Sequence, residues 1–537
     1  MPKITIDGRE IDVAAGTTII QAAEKLGMFV PHYCYHPGLS IAGSCRMCLV
    51  EVEKAPKLQI ACYTFVTDGM VVHTTTDQVK VARQAILEFL LANHPLDCPV
   101  CDQAGECKLQ EFYMQFGRYD STYLEDKLKK HKAIPVGPNI ILDSERCILC
   151  SRCTRFVDEI THTHELGIFN RGHYSELLPT EGMTVNNAYS GCLADICPVG
   201  ALTDRDFRFK VRVWYLSKTE SVCHGCARGC SIEIHTNRRR PHHNQGKLIA
   251  RYKPRHNQDV NGYWMCDAGR YSYKQIESDD RLTEPMLDGK PATWTDALGR
   301  LDAEINRVVA AHGAKSIAVI APPTLSNEDF WALKRLFRDG MKVESIAHRC
   351  PPDPAGVEDE LLRKADLYPN SFGAERIIGS SSTSEAILES CNHGSMKLLI
   401  VIGGPFVMSM SESQFAAAIK KIECVVAIRT HRSVVTDTSQ IVLPMATYAE
   451  TDGTVTNFTG HVQRFWAAIE PIGESRPLLS ILSDLAARLE IAGAPREAEP
   501  CFNELAQSVE YFRGLSYRGL GRTGVNPSAK KAESAVA

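Results

Sequence analysis

The chain has 537 residues, too many for a single core at roughly 100–200 residues per domain, and its 44% hydrophobic and 23% charged residues are ordinary for folded domains. A formal net charge of -4 and the lack of a basic groove argue against a dedicated nucleic-acid binder. Apolar runs such as 398–402 are far shorter than the ~20 residues needed to span a bilayer, so any membrane association is expected to go through partners.

The opening reads as a small α+β module: a strand at Ile4–Ile6, an Asp7-Gly8 turn, a strand at Arg9–Val13, then a helix with a Thr18–Gln21 capping box that stops at Gly27. No basic, apolar or cleavage-site pattern of an export signal precedes it, which predicts a reducing compartment and cysteines that bind metal rather than pair as disulfides. Apolar periodicity predicts a second helix over Asp77–Asn93, ending at His94-Pro95. The charged stretch Glu125–Lys132 reads as a solvated connector. Beyond Tyr271 helices are expected at Trp294–Ala311, Glu328–Arg338 and Glu412–Ile422, with strands at Ser316–Ala321, Lys397–Ile402 and Cys424–Ile428. That alternation favours a doubly wound α/β domain with a largely parallel sheet. The last twenty or so residues have the composition of a disordered tail.

Fifteen of the twenty cysteines fall, with one histidine, into four sets of four ligand positions within the first 266 residues, the pattern of a chain that passes electrons between cofactors in series. The first set, Cys34, Cys45, Cys48 and Cys62, is spaced C-x10-C-x2-C-x13-C in a loop holding Gly38, Gly43 and Ser44. It resembles the plant-type ferredoxin loop around a [2Fe-2S] cluster, with a longer first spacing, and lacks the two short knuckles usual in zinc sites. The second set, His94, Cys98, Cys101 and Cys107, places an imidazole first. His94 taken alone is explained by the end of a helix, but three cysteines need a fourth ligand. Cys147, Cys150 and Cys153 begin the third set as a bacterial ferredoxin run, with Val157 where its fourth cysteine would stand. Cys197-Pro198 is the surviving end of a second run whose other positions are Leu193, Ser190 and Asn187. One [4Fe-4S] site closed by Cys197 is therefore expected and its twin lost, with Cys192 a core or near-cluster thiol rather than a ligand. The fourth set, Cys223, Cys226, Cys230 and Cys266, is spaced C-x2-C-x3-C-x35-C and is also compatible with a four-cysteine zinc site. Arg238, Arg239, Arg240, His242 and His243 between its members read as a solvated turn, with a docking surface for an acidic partner as the alternative.

With all four sets in this order, residues 1–285 resemble the large iron–sulfur subunit, known as the G subunit, of the respiratory NADH:quinone oxidoreductase called complex I. The resemblance implies one [2Fe-2S] cluster at the first set, [4Fe-4S] clusters at the other three, a flavin subunit that takes hydride from NADH, and other subunits of the hydrophilic arm. It implies a relay through the first, third and second sets toward the quinone site, the fourth set lying off that path, at the cytoplasmic side of the inner membrane and held there through the complex. From about Tyr271 the chain resembles the molybdopterin oxidoreductases. The match rests on Thr436-Asp437-Thr438, Val442-Leu443-Pro444, the run from Glu450 through Thr451, Asp452, Gly453, Thr454, Val455 and Thr456 to Asn457, then Gly460 and Gln463. Only about 250 residues follow the fourth set, and Cys350 in His348-Arg349-Cys350-Pro351 lacks the surroundings of a molybdenum ligand. A shortened domain without molybdopterin, serving assembly, is expected.

The expected architecture is thus multidomain α+β and α/β: a ferredoxin-like β-grasp [2Fe-2S] domain over 1–76, a [4Fe-4S] domain with the histidine ligand over 77–116, and a [4Fe-4S] ferredoxin-like domain over 117–215. A four-cysteine [4Fe-4S] domain of molybdopterin-oxidoreductase type over 216–285, the truncated α/β domain over 286–514 and a disordered tail over 515–537 follow. The competing readings are a molybdenum formate dehydrogenase subunit, an iron-only hydrogenase, for whose catalytic cluster Cys350, Cys391, Cys424 and Cys501 are too scattered, and a zinc-stabilised scaffold without redox work. Gly519, Gly521 and Gly524 match G-x-G-x-x-G, but no strand precedes them and too little chain follows for a βαβ unit. With no P-loop and no nucleophile–base constellation, the chain reads as a relay subunit without a complete active site of its own.

Overall fold

The computed structural model describes residues 1–349, 357–379, 382–403 and 412–529. They form two compact units, 1–216 and 217–537, so the first three ligand sets fall in one unit and the fourth falls with the α/β domain.

The first unit opens with a five-stranded sheet. Strand Lys3–Ile6 pairs antiparallel with Arg9–Asp12 and parallel with Met70–His73, and Leu49–Val52 and Gln59–Ile60 complete the far side. The capping box forms as expected: Thr18 N donates to Gln21 Oε1 at 3.0 Å, and the helix Ile19–Lys25 gives its apolar face, Ile19, Ile20, Ala22 and Ala23, to the sheet's core. A 16-residue helix, Asp77–Ala92, then delivers the chain to His94. The region expected as a solvated connector does more than bridge. Lys127 Nζ donates to the last carbonyls of that helix, Leu91 O at 2.7 Å and Ala92 O at 2.9 Å, a cation at a helix C-terminus. Lys132 joins Asp97 and Glu145 in an ion network beside the second ligand set.

The ferredoxin-like part is built on a three-stranded antiparallel sheet. Leu202–Asp204 lies against Ile140–Leu142, which pairs with Ile134–Pro135. Helices Arg152–Glu159 and Cys192–Ile196 pack on one another. Val157 and Leu193, at positions where a second cluster's thiolates would stand, are fully buried, and so is Cys192. Buried apolar side chains therefore stand at both of these positions.

The second unit begins with a three-stranded antiparallel meander, Ser217–Val222, Ser231–Thr236 and Ile249–Pro254. Arg238, Arg239 and Arg240 are exposed in the turn after its second strand, as the solvated-turn reading requires. An eight-stranded sheet follows. Six of its strands are parallel, in spatial order Ser382–Thr383, Ser345–Arg349, Ile317–Ile320, Leu398–Gly403, Cys424–Arg429 and Ile441–Pro444. In chain order this is 3-2-1-4-5-6, the doubly wound arrangement with its crossover reversal between Ile317–Ile320 and Leu398–Gly403. Strand residues alternate between two cores: Leu398, Ile400 and Ile402 face one side with helix Trp294–His312, while Leu399 and Val401 face the other with helix Ser384–Asn392. Cys391, Cys424 and Cys501 are core residues of these layers.

Two expectations change. The helix expected over Glu328–Arg338 is α-helical only over Asn327–Leu333 and continues as a π-helix over Lys334–Gly340, a widening that keeps Leu336 and Phe337 in the core. The composition-based tail is ordered through residue 529: helix Tyr517–Leu520 buries Tyr517 and Leu520, and Val525 pairs with Val462 through backbone bonds of 2.8 and 2.9 Å. Composition misleads here because two well-placed apolar side chains outweigh a polar average.

Candidate metal centres

The first ligand loop leaves the helix Ile19–Lys25 and wraps back across the sheet. Cys45 Sγ accepts from the backbone of Tyr33 and Cys34, at 3.5 and 3.4 Å. Hydrogen bonds join Cys34 to Cys45 and Cys62, and Cys48 to Cys62, so all four thiols converge. Donation from Cys45 and Cys62 holds the Cys34 thiol below its ordinary range, while Cys45 and Cys62, the donors, are pushed up.

In the third set the antiparallel register does the assembly. Leu202 opposite Leu142 and Thr203 opposite Ile141 carry Cys197 back to the start of the Cys147-x2-Cys150-x2-Cys153 loop. All four cysteines line one cavity, together with Val199, Ala201 and Leu202. Burial pushes Cys147 up to about 12 and Cys150 to about 11. Thiols gathered away from water are neutral until a metal displaces their protons, the usual linkage of thiolate ligation.

At the second set, Cys107 caps the helix Lys108–Phe116, Cys98 opens a short 3-10 turn, and Arg212 holds the loop through the carbonyls of Cys101 and Pro99, both at 2.5 Å. A Cβ on Gly200 would stand 2.4 Å from Cys101 Sγ, so the chain after Cys197 must be bare there. His94 fits the ligand role on its own evidence. Burial lowers it to about 4, which keeps the imidazole neutral, and its Nδ1 is buried with no hydrogen-bond partner among the described residues. Such an orphaned acceptor suits a metal.

The fourth set is a β-hairpin loop closed by helix geometry. Cys223 N donates to Cys230 O at 2.8 Å at the mouth of the hairpin, and Cys266 is the N-cap of helix Asp267–Tyr271, its sulfur accepting from Gly269 N at 3.4 Å. A Cβ on Gly269 would meet Cys223 Sγ at 2.8 Å. The four cysteines line a common cavity with Gly225 and Gly229. Among the described residues no group of three His, Cys, Asp or Glu side chains has the geometry of a single-ion site.

The residues that suggested a pterin site turn inward. Glu450 is buried against Arg281 at 2.6 Å, and Thr454 and Thr456 bond Asn327. Gln463 Nε2 donates to Gly229 O at 2.7 Å and Asn457 Nδ2 to Arg228 O at 3.2 Å, so this motif secures the loop of the fourth set. A cavity of about 520 Å³ lies at the C-terminal edge of the parallel strands, against Thr324, Thr430, Met445 and Tyr448, with His224 and Gly225 of the fourth loop in its wall. Its described lining holds Asp329 and Asp452 and no lysine or arginine. Cys350 lies outside the described residues.

The ligand sets coincide with four known iron–sulfur families. Residues 2–77 match the 2Fe-2S iron-sulfur cluster binding domain, 83–122 the NADH-ubiquinone oxidoreductase-G iron-sulfur binding region, 137–203 the NADH-quinone oxidoreductase subunit 3 ferredoxin-like domain, and 216–278 the molybdopterin oxidoreductase Fe4S4 domain. The G subunit of the Rickettsia bellii NADH-quinone oxidoreductase is 42% identical over 312 residues, 57% of this chain and 44% of that protein. Its Streptomyces coelicolor counterpart is 36% identical over 390 residues, 71% of this chain and 44% of that protein. This chain is homologous to the G subunit of NADH-quinone oxidoreductase. The mitochondrial NADH-ubiquinone oxidoreductase 78 kDa subunit of Candida albicans, 39% identical over 341 residues, 62% of this chain and 46% of that protein, is a further relative. The chain spans a little under half the length of these relatives. Residues 369–488 match the molybdopterin oxidoreductase family, in agreement with the α/β architecture. A solved NAD+-reducing [NiFe]-hydrogenase in the H2-reduced state aligns at 30% identity over 40% of this chain and 91% of that chain, with a TM-score of 0.36. Iron–sulfur binding regions and the mixed α/β architecture therefore agree with the sequence reading.

The clamping residues were not legible beforehand. Lys127, Arg152, Arg155 and Arg212 act on backbone carbonyls brought near by folding, and no spacing announces them.

Proposed function

We propose that the chain is the electron-relay subunit of an NADH:quinone oxidoreductase of the complex I type, taking single electrons from a flavin subunit and passing them toward the quinone site. In this reading Cys34, Cys45, Cys48 and Cys62 hold a [2Fe-2S] cluster. His94, Cys98, Cys101 and Cys107 hold one [4Fe-4S] cluster, Cys147, Cys150, Cys153 and Cys197 a second, and Cys223, Cys226, Cys230 and Cys266 a third. Bound there, the clusters supply one-electron reduction and oxidation without bond making.

The observation that carries the reading is the way three sets share one core. Cys34 and Cys45, Cys107, and Cys147, Cys150 and Cys197 belong to a single apolar cluster with Leu87, Leu109 and Phe112. Arg155 Nη2 bonds both Cys34 O at 2.6 Å and Cys150 O at 3.4 Å, tying the first set to the third. Lys108 N donates to Pro198 O at 2.9 Å, tying Cys107 to Cys197 and so the second set to the third. The order first, third, second supports a path with a dry middle. Its far end reaches the surface, where Cys98 is exposed between Leu96 and Val100, which are 83% and 63% exposed, an apolar rim suited to the next carrier subunit. The α/β domain is assigned to assembly, and the flavin subunit and other hydrophilic-arm subunits are the partners.

Cys150→Ser in the assembled complex should abolish NADH-to-quinone turnover while sparing NADH-to-ferricyanide activity at the flavin. Unchanged quinone reduction would remove the third set from the path. Zinc without iron in the purified chain would replace the relay with a structural scaffold.

A further inference from the structure

A half-buried cation lies between the first and third ligand sets. Arg152 opens the helix Arg152–Glu159, between Cys150 and Cys153 in sequence. Its Nη2 donates to Tyr35 O at 2.5 Å, next to Cys34, and its Nη1 to Ile196 O at 3.2 Å, next to Cys197. The guanidinium is within electrostatic range of Cys150 and Cys197 on one side and of Cys34 and Cys45 on the other. Its Nε is buried without a hydrogen-bond partner among the described residues. Arg155, one turn on, spends its donors on carbonyls of both loops, Ser40, Cys34 and Cys150. Both guanidiniums bridge backbone carbonyls of the two loops, and Arg152 in addition brings its charge near thiols of both sets, in a gap where charge is less screened than in bulk water.

We propose that Arg152 is a positioning residue shared by the first and third sets, fixing their loops together and favouring the reduced form of the cluster at each. The inference rests on the relay reading above. Each cluster gains one electron and one negative charge on reduction, with no proton required, so a fixed cation nearby stabilises the reduced state and raises the midpoint potential. One cation serving both sites moves both potentials in the same direction, so the step between them changes only by the difference of the two shifts while the pair becomes easier to reduce.

The test is EPR-monitored redox titration, with iron and sulfide analysis, of the full chain carrying Arg152→Gln, Arg152→Met or Arg152→Lys. Loss of the charge in Arg152→Gln and Arg152→Met should lower the reduced-to-oxidised ratio of both clusters at a fixed ambient potential by about tenfold, equivalent to 59 mV for a one-electron couple. Arg152→Lys should restore most of it. If the neutral variants assemble no clusters while Arg152→Lys does, a shared requirement for positive charge stands. Full iron content with either potential unmoved overturns the proposal, as does loss of iron from all three variants, which assigns Arg152 to packing alone. A wild-type chain without two titrating signals from the first and third sets would instead overturn the relay reading itself.

Discussion

Single residues show where burial changes chemistry. Glu328 is fully buried in the second unit and accepts from Thr454 N at 2.8 Å, Thr454 Oγ1 at 2.9 Å and Tyr517 OH at 2.8 Å. Three donors favour the carboxylate, but desolvation is the larger effect and raises the group to about 7. Asp329, its neighbour, is raised to about 6 by the same cause. A carboxyl whose folded value lies above its unfolded one keeps its full contribution below about pH 4.5, and that contribution is lost as pH rises through about 7. Stability of the second unit should therefore decline from pH 4.5 to 7.5, measured by denaturant titration. In Glu328→Gln the decline should flatten by about 2–3 kcal/mol, leaving the smaller slope from Asp329. A slope unchanged by the substitution would assign the pH dependence elsewhere. His94 is the opposite case, an imidazole that burial keeps neutral and whose Nδ1 has no hydrogen-bond partner among the described residues, and in the sequence it stands out only because three cysteines nearby lack a fourth partner.

Elements were legible where one periodicity dominated. The capping box at Thr18, the helix Asp77–Ala92 and the strands Leu398–Gly403 and Cys424–Arg429 fall within a residue or two of their expected bounds, because an amphipathic helix and a fully buried parallel strand each leave one strong pattern. The segment after 515 was not, since its few apolar residues act through long-range partners. Tyr517 reaches Glu328, Thr523 O accepts from Asn257 Nδ2 at 2.8 Å, and Arg522 O accepts from Arg255 Nη1 at 2.6 Å. Deleting residues 515–537 should destabilise the second unit by about 3–5 kcal/mol, the burial of one tyrosine and one leucine plus lost polar partners, read as a lower denaturation midpoint. An unshifted midpoint would mean that the segment contributes nothing to folding. The same deletion should leave iron at the first three sets unchanged, since those lie in the other unit.

Across the whole molecule, the division at residue 216 separates three ligand sets from the fourth. Each unit has its own cores, and the fourth loop is secured by Gln463 and Asn457 of the α/β domain. Residues 1–216 produced alone should hold about ten iron atoms and residues 217–537 about four, by iron and sulfide analysis, if the cluster types proposed above are right. Fewer than four in the second fragment would favour a zinc site there, as its spacing allowed.

The iron–sulfur regions and their order were legible in the sequence alone, and the candidate ligand sets were read from it, because metal ligation needs particular side chains at short spacings that survive in one dimension. The doubly wound domain was readable for a similar reason, strands and helices alternating in local pattern. Tertiary structure decided what depends on residues distant in the chain. It gathered three sets around one apolar core, drew Arg152 and Arg155 between the first and third, and turned a motif that looked like a pterin cradle into the support of the fourth loop. Those outcomes rest on register, burial and backbone carbonyls, which carry no residue signature until the chain is folded.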